Sequence, residues 1–222
     1  MALAPLNKFL TIAVPVAPGE QVVYNTPVGV SAILLYAQVA NVGVNTFPTV
    51  SLTHRRKSTS SRTAGNIRNV RVIKNVQIPQ NDAVVIIDGR LVLERNAIFN
   101  DSLVIQGTQT GIVSISTVSY DNNTGITTIT TISPHNFIVN DEVTMSGIAF
   151  TCSGSFGLTT SIFPIPQRSF TVDSIIGNVG VSKTFVTNSG IVVGIAHTYL
   201  SGGQVGPLQM EFICSILENS ST

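Results

Sequence analysis

Apolar residues in this chain recur in short β-branched runs, each broken by Gly, Pro, Asn or Asp. In the first half such runs predict strands near Phe9–Val16, Gln21–Tyr24, Val30–Val42, Pro48–His54, Val70–Ile78, Ala83–Ile87, Arg90–Glu94 and Ser102–Gln106. The expected turns are Pro18-Gly19, Asn25-Thr26-Pro27, Asn41 to Gly43, Pro79 to Asp82, Asp88-Gly89 and Asn100-Asp101. The longest message is AVVIIDGRLVLERNAIFNDSLVIQG, Ala83 to Gly107. An Asp-Gly pair between β-branched runs predicts a tight hairpin, because the turn needs a positive φ that Gly adopts freely. With the third run that follows, the stretch predicts a β-meander. In Val30–Val42 the segment SAILLYAQVA also suits a short helix; its Val and Ile content and the flanking glycines favour a strand.

From about Ile112 to Val205 the texture changes to more Thr, Ser and Gly. Glu142 to Met145, Phe150 to Cys152 and Phe170 to Val172 alternate, one set for a core and one for water. ITTITTIS, Ile126 to Ser133, repeats every three residues and fits neither period; β-branching alone makes it a strand. YDNNTG, Tyr120 to Gly125, reads as its hairpin loop. The closing run PLQMEFICSILE returns to the first texture and needs a partner sheet. The expected fold is therefore all-β. A jelly-roll-like β-sandwich (1–111 plus 206–222) carries a small inserted β-barrel-like domain (112–205), an insertion made easy by adjacent entry and exit points.

Composition narrows the function. Of 222 residues only 10% are charged, 43% are hydrophobic and the formal net charge is +1. A low-charge surface rich in Ser, Thr and Asn suits a subunit packed against neighbours better than a free monomer. No apolar run approaches the roughly 20 residues a spanning helix needs, so no membrane is expected. FLTIAVPVA after Lys8 loosely imitates a signal peptide, which Pro15 and Pro18 fit poorly; with Met1 at the start, no processed leader is expected. Cys152 and Cys214 are expected to be buried free thiols.

Candidate chemistry is sparse. The histidines are His54, His135 and His197, and apart from Asp141-Glu142 the carboxylates stand singly. No HxxxH, HExxH or CxxC spacing is present, so no metal site is expected, and no phosphate loop suggests a cofactor. His135, Asp141 and Cys152 supply the residue types of a nucleophilic triad, but nothing aligns them. The simpler expectation is that His135 and His197 bond backbone beside turns while Cys152 packs as a small hydrophobe. SGGQVG, Ser201 to Gly206, reads as a flexible joint between domains. Neither enzyme nor cofactor is expected.

The sharpest local feature is basic. His54 to Lys74 holds Arg55, Arg56, Lys57, Arg62, Arg68, Arg71 and Lys74, and no Asp or Glu occurs between Glu20 and Asp82. With KSTSSRTAGN at its centre the segment predicts a long basic loop. A docking arm for acidic patches on a neighbouring subunit is the preferred role, a solvated loop comes next, and DNA contact third, since no aromatic is interleaved for stacking. The expected interface is Arg55, Arg56, Lys57, Arg62 and Arg68 with Leu3, Leu6 and Phe9 of an N-terminal segment too apolar to stay in water.

Several pieces resemble virion proteins of tailed bacteriophages, especially T4-like phages of cyanobacteria. In the outer domain these are IPQNDAVVIIDGRLVLE, NDSLVIQG and FICSILE; in the insertion they are YDNNTGITTITT, PHNFIVNDEVTMSGIAFTC, SFTVDSI and IAHTYLSGGQV. The inserted module usually reads His-Gly-Leu where this chain has His135-Asn136-Phe137. The resemblance implies a structural subunit of the virion, assembled in the host cytoplasm and partnered by copies of itself and other virion proteins. It points to the neck, tail or baseplate, with capsid decoration or a receptor- or glycan-binding module of a tail fibre as alternatives. Sugar sites favour exposed Trp, which this chain lacks.

Overall fold

A computed structural model describes residues 6–59, 65–154, 157–192 and 195–220. These residues form strands and turns, with no helix among them. By internal contacts the chain divides into two compact units, Met1–Thr108 with Gln209–Thr222, and Gln109–Leu208. The first unit opens with β1 (Leu6–Pro15), β2 (Gly19–Asn25), β3 (Val30–Asn41), β4 (Thr49–Ser58), β5 (Ile67–Gln77), β6 (Ala83–Glu94) and β7 (Phe99–Thr108). The second holds β8 (Val113–Tyr120), β9 (Ile126–Thr131), β10 (Glu142–Ser146), β11 (Ile148–Gly154), β12 (Gly157–Phe163), β13 (Ser169–Thr171), β14 (Ser174–Ile176), β15 (Thr184–Asn188), β16 (Ala196–Ser201) and β17 (Gln204–Pro207). The chain then returns to the first unit as β18 (Met210–Ser220).

The first unit is a jelly roll. Its strands pair antiparallel as β1 with β18, β2 with β7, β3 with β6 and β4 with β5, the pairing of one long hairpin rolled on itself. Two sheets result, in the orders β1-β18-β3-β6 and β2-β7-β4-β5. Between them lie Leu34 and Val39 of β3, Leu52 of β4, Leu93 of β6, Leu103 and Ile105 of β7, and Phe212 and Ile216 of β18. The closing run is thus a central strand, flanked by β1 and β3, and its alternating pattern buries Met210, Phe212, Cys214 and Ile216.

The meander expected at Asp88-Gly89 is absent. Ala83–Glu94 is one continuous strand, and both halves pair with β3: Tyr36 lies opposite Asp88 and Leu34 opposite Leu91. One extra residue is accommodated there as a β-bulge, the other role a Gly plays inside a strand. Gly89 has no positive φ, so the turn geometry that the Asp-Gly pair advertised is unused. β7 pairs instead with β2 and β4 in the other sheet, and the expected turn at Asn100-Asp101 lies within it. A further bulge, where β3 carries one extra residue between Leu34 opposite Ile216 and Tyr36 opposite Ser215 of β18, also explains the helical look of SAILLYAQVA. The buried positions Ala32, Leu34, Ala37 and Val39 slip by one there, giving a three-residue step inside a strand.

In the second unit a seven-stranded sheet, β13-β10-β17-β8-β9-β15-β14, and a three-stranded sheet, β12-β11-β16, wrap one apolar core in a barrel-like arrangement. ITTITT alternates after all, but two of its three buried positions are Thr127 and Thr131, flanking Ile129. The loop before it is the predicted hairpin loop. Asp121 accepts from the Asn123 N–H and the Thr124 hydroxyl, and Gly125 closes the turn at φ +74°. A Cβ on Gly125 would stand 2.6 Å from the carbonyl carbon of Gly190, so this position takes Gly for space as well as for φ. SGGQVG is not a joint between units but a packed turn from β16 into β17. Gly203 sits at φ +101°, and a Cβ there would come within 2.7 Å of Ile148.

Candidate functional site

In the first unit, β5 is an edge strand, and among the described residues its one strand partner is β4. The basic residues expected on a loop lie on these strands: Arg55, Arg56 and Lys57 on β4, and Arg68, Arg71 and Lys74 on β5. Arg55 pairs with Asn69, Arg56 with Arg68 and Lys57 with Ile67, so the ladder simply continues through the charged stretch. Charged side chains belong on an edge strand, where they discourage uncontrolled sheet extension. Arg62 and Leu3 lie outside the described residues. Leu6 opens β1 opposite Ser220, and Phe9, 73% exposed, is on β1 in the other sheet. The expected interface residues therefore divide: Arg55, Arg56, Lys57 and Arg68 share one strand pair, and Phe9 does not join them.

Two of those arginines are engaged within the fold. Arg56 forms a two-pronged pair with Asp101 of β7, both N–O distances 2.7 Å, and its guanidinium covers the Phe99 ring at 3.6 Å. Asp101 is fully buried; it also meets His54 Nε2 at 3.1 Å and accepts from the Glu94 N–H at 3.1 Å. Burial alone would raise the pKa of this carboxyl, but the Arg56 guanidinium, the Glu94 N–H and His54 outweigh it and hold the group below its ordinary range. The same hydrogen bonding lifts the Arg56 guanidinium above its usual value. Arg55 pairs with Glu20 at 2.6 Å and donates to Asn69. Lys57, Arg68, Arg71 and Lys74 are exposed and make no ion pair with a described residue. Arg71 and Lys74 border a polar groove of about 100 Å³ with Ser51, Thr53, Asn69 and Gln106. Asp101 escaped the sequence reading because, after Asn100, it looks like a turn residue.

In the second unit the residue types of the imagined triad are not brought together. His135 is stacked on Phe137 at 4.9 Å and meets Phe185 edge-on; burial lowers its pKa, and its Nδ1 accepts from the Phe137 N–H. That backbone bond beside a turn matches its expected role. Asp141 accepts from the Ile138 N–H. Cys152 instead faces His197 directly across the β11–β16 pair, with Sγ 2.9 Å from Nδ1. His197 is thus a strand residue and not a turn residue. The two line a cavity of about 300 Å³ whose walls are mainly apolar, with Phe150, Ile162, Phe163 and Val192. Forty-five positions separate them, and nothing local in either segment signals the pairing. Among the described residues no group of three or more His, Cys, Asp or Glu is placed to hold a metal ion, and no helix is long and apolar enough to cross a membrane.

Both units also carry exposed aliphatic side chains, including Val44 and Ile98 in the first and Leu158, Ile165 and Val181 in the second.

No family model and no curated protein matches this chain. Among the solved structures similar to it at low scores are the following. A chain of the T=1 particles derived from infectious bursal virus has 8% identity and a TM-score of 0.29, over 99% of this chain and 40% of that one. This protein thus spans well under half the length of that viral chain. The tandem CBM22 domains from Paenibacillus barcinonensis have 8% identity and a TM-score of 0.22, over 88% of this chain and 80% of that one. The Macrobrachium rosenbergii nodavirus structure has 10% identity and a TM-score of 0.13, over 96% and 97%. Scores this low carry no argument about function, and the jelly roll stands on strand order alone.

Proposed function

We propose that this chain is a non-enzymatic structural subunit of a virion, working by packing against copies of itself and other virion proteins. One observation carries the reading: large aliphatic side chains stand exposed around β units that have few charges to keep them in water. In the second unit Ile165 is 78% exposed and Leu158 75%, with only six Asp, Glu, Lys or Arg residues in that part of the sequence. Large apolar side chains this exposed suit a contact surface. On the first unit, Lys57, Arg68, Arg71 and Lys74 offer an acidic neighbour a cationic strand edge. Phe9 adds an exposed aromatic on β1. Placement in the neck, tail or baseplate, in preference to capsid decoration, rests on the sequence resemblance alone.

The paired substitution Leu158→Asp with Ile165→Asp tests this. Both side chains are exposed, so the fold and its circular dichroism are expected to stay intact while light-scattering mass falls to that of a monomer. An unchanged oligomer would remove this surface from the assembly; a monomeric wild-type protein would remove the reading itself.

A further inference from the structure

Both cysteines are buried free thiols, as expected, but their neighbours differ. Cys214, on β18, is fully enclosed by the core of the first unit, and burial pushes its thiol up to about 11. Cys152 forms part of the wall of the cavity in the second unit, with the His197 imidazole as its immediate partner. The imidazole is bracketed by the edge-on rings of Tyr120 at 5.4 Å and Phe150 at 6.1 Å. A Cys and His within hydrogen-bond reach are the elements of an activated thiol. The cavity adds a place for a reactant: about 300 Å³, at the lower end of the range for small-molecule pockets, with Ile162, Phe163, Ile165 and Val192 as apolar wall and the Ser161 and Ser189 hydroxyls at its lining. Among the described residues, no Asp, Glu, Lys or Arg lines it.

We propose that this cavity captures small, mostly apolar α,β-unsaturated carbonyl compounds, with Cys152 as the nucleophile and His197 as the base. The imidazole Nδ1 takes the thiol proton. Sulfur then forms a bond to the β-carbon, the C=C electron pair moves toward the carbonyl, and the α-carbon takes a proton back from the imidazolium. The product is a thioether; atoms and charge balance with no oxidant, metal or second substrate. The sulfur is consumed, so the site is one of covalent modification and not of turnover. A soft sulfur nucleophile selects the soft β-carbon, the cavity volume selects compact molecules, and the uncharged wall disfavours ionic ones.

The test uses N-ethylmaleimide, a compact member of this class, on the intact native protein, with adducts located by peptide mass mapping over time. Cys152 is expected to react at least about tenfold faster than Cys214, which labels at a comparable rate only in denaturant. His197→Gln is expected to slow Cys152 labelling by about tenfold or more, in line with loss of a positioned base. Ile162→Trp, on the partly exposed rim, is expected to block the cavity and give a similar loss with the histidine in place. Slow Cys214 labelling in each variant reports that the first unit is folded, and unchanged circular dichroism reports the same for the whole chain. Equal labelling of the two cysteines in the wild type, or a wild-type rate in folded His197→Gln, would overturn the proposal. If His197→Gln fails to fold, the Ile162→Trp rate decides: an unchanged rate overturns it and a lost one supports it.

Discussion

Asp101→Asn is expected to lower the stability of the first unit by about 3 kcal/mol at neutral pH, toward the lower end of what breaking a buried ion pair costs. The wild-type carboxylate is fully enclosed and bridges Arg56, His54 and the Glu94 N–H, joining β4, β6 and β7. The amide keeps the shape but aims N–H groups at a guanidinium and discards the charge. Arg56 is 39% exposed and retains some hydration, which places the estimate near the bottom of the range. The pH dependence distinguishes this from mere loss of packing. The folded state holds Asp101 below its ordinary value of 3.8, so the folded protein binds fewer protons there than the unfolded chain. Its contribution is complete above that ordinary value and is lost as pH falls through the lower folded value. The stability gap between wild type and Asp101→Asn, measured by urea denaturation at a series of pH values, is expected to narrow as pH falls below the ordinary carboxylate value. A gap that does not narrow would mean that the carboxylate charge plays no part.

Phe212→Ala is expected to cost more, about 3–5 kcal/mol, the usual range for truncating a buried aromatic. Phe212 lies near the start of β18, between β1 and β3, with Val14 and Val39 as its cross-strand partners, and is 1% exposed. Its removal leaves a void that a two-sheet core, held by ladders on both sides, cannot close. Phe9→Ala is the matched control. Phe9 sits on β1, yet it is solvent-exposed, so its loss is expected to change stability by less than about 0.5 kcal/mol. Denaturation monitored by circular dichroism separates the two. Equal losses would mean that β1 packs differently from the arrangement described here.

The all-β fold was legible because β-branched runs and turn residues agree with one another over most of the chain. YDNNTG became a hairpin loop, and FICSIL became a half-buried strand, because local chemistry and tertiary packing ask for the same thing there. Legibility failed where one residue type has two uses. Asp88-Gly89 serves a bulge as well as a turn, and strand pairing with β3 on both sides chose the bulge. Arg55 to Lys57 looked like loop because charge suggests solvent, but they lie on β4, an interior strand whose ladders with β7 and β5 continue through the charged residues. At the candidate sites the decisive contacts are long-range. Asp101 finds Arg56 forty-five positions away, and Cys152 finds His197 at the same separation, each through strand pairing with no counterpart in local pattern. Thr127 and Thr131 were opaque for a different reason: they occupy buried positions where hydroxyls bond inside the unit, Thr127 to Ser189 and Thr131 to the Lys183 carbonyl.

Sedimentation velocity on the purified wild-type chain, over a wide concentration range, tests the structural-subunit account most directly. The account predicts a discrete species whose mass is a whole multiple of 23.5 kDa and which dissociates when exposed aliphatic positions are made acidic. A single 23.5 kDa species at every concentration, with all that apolar surface left in water, would contradict it.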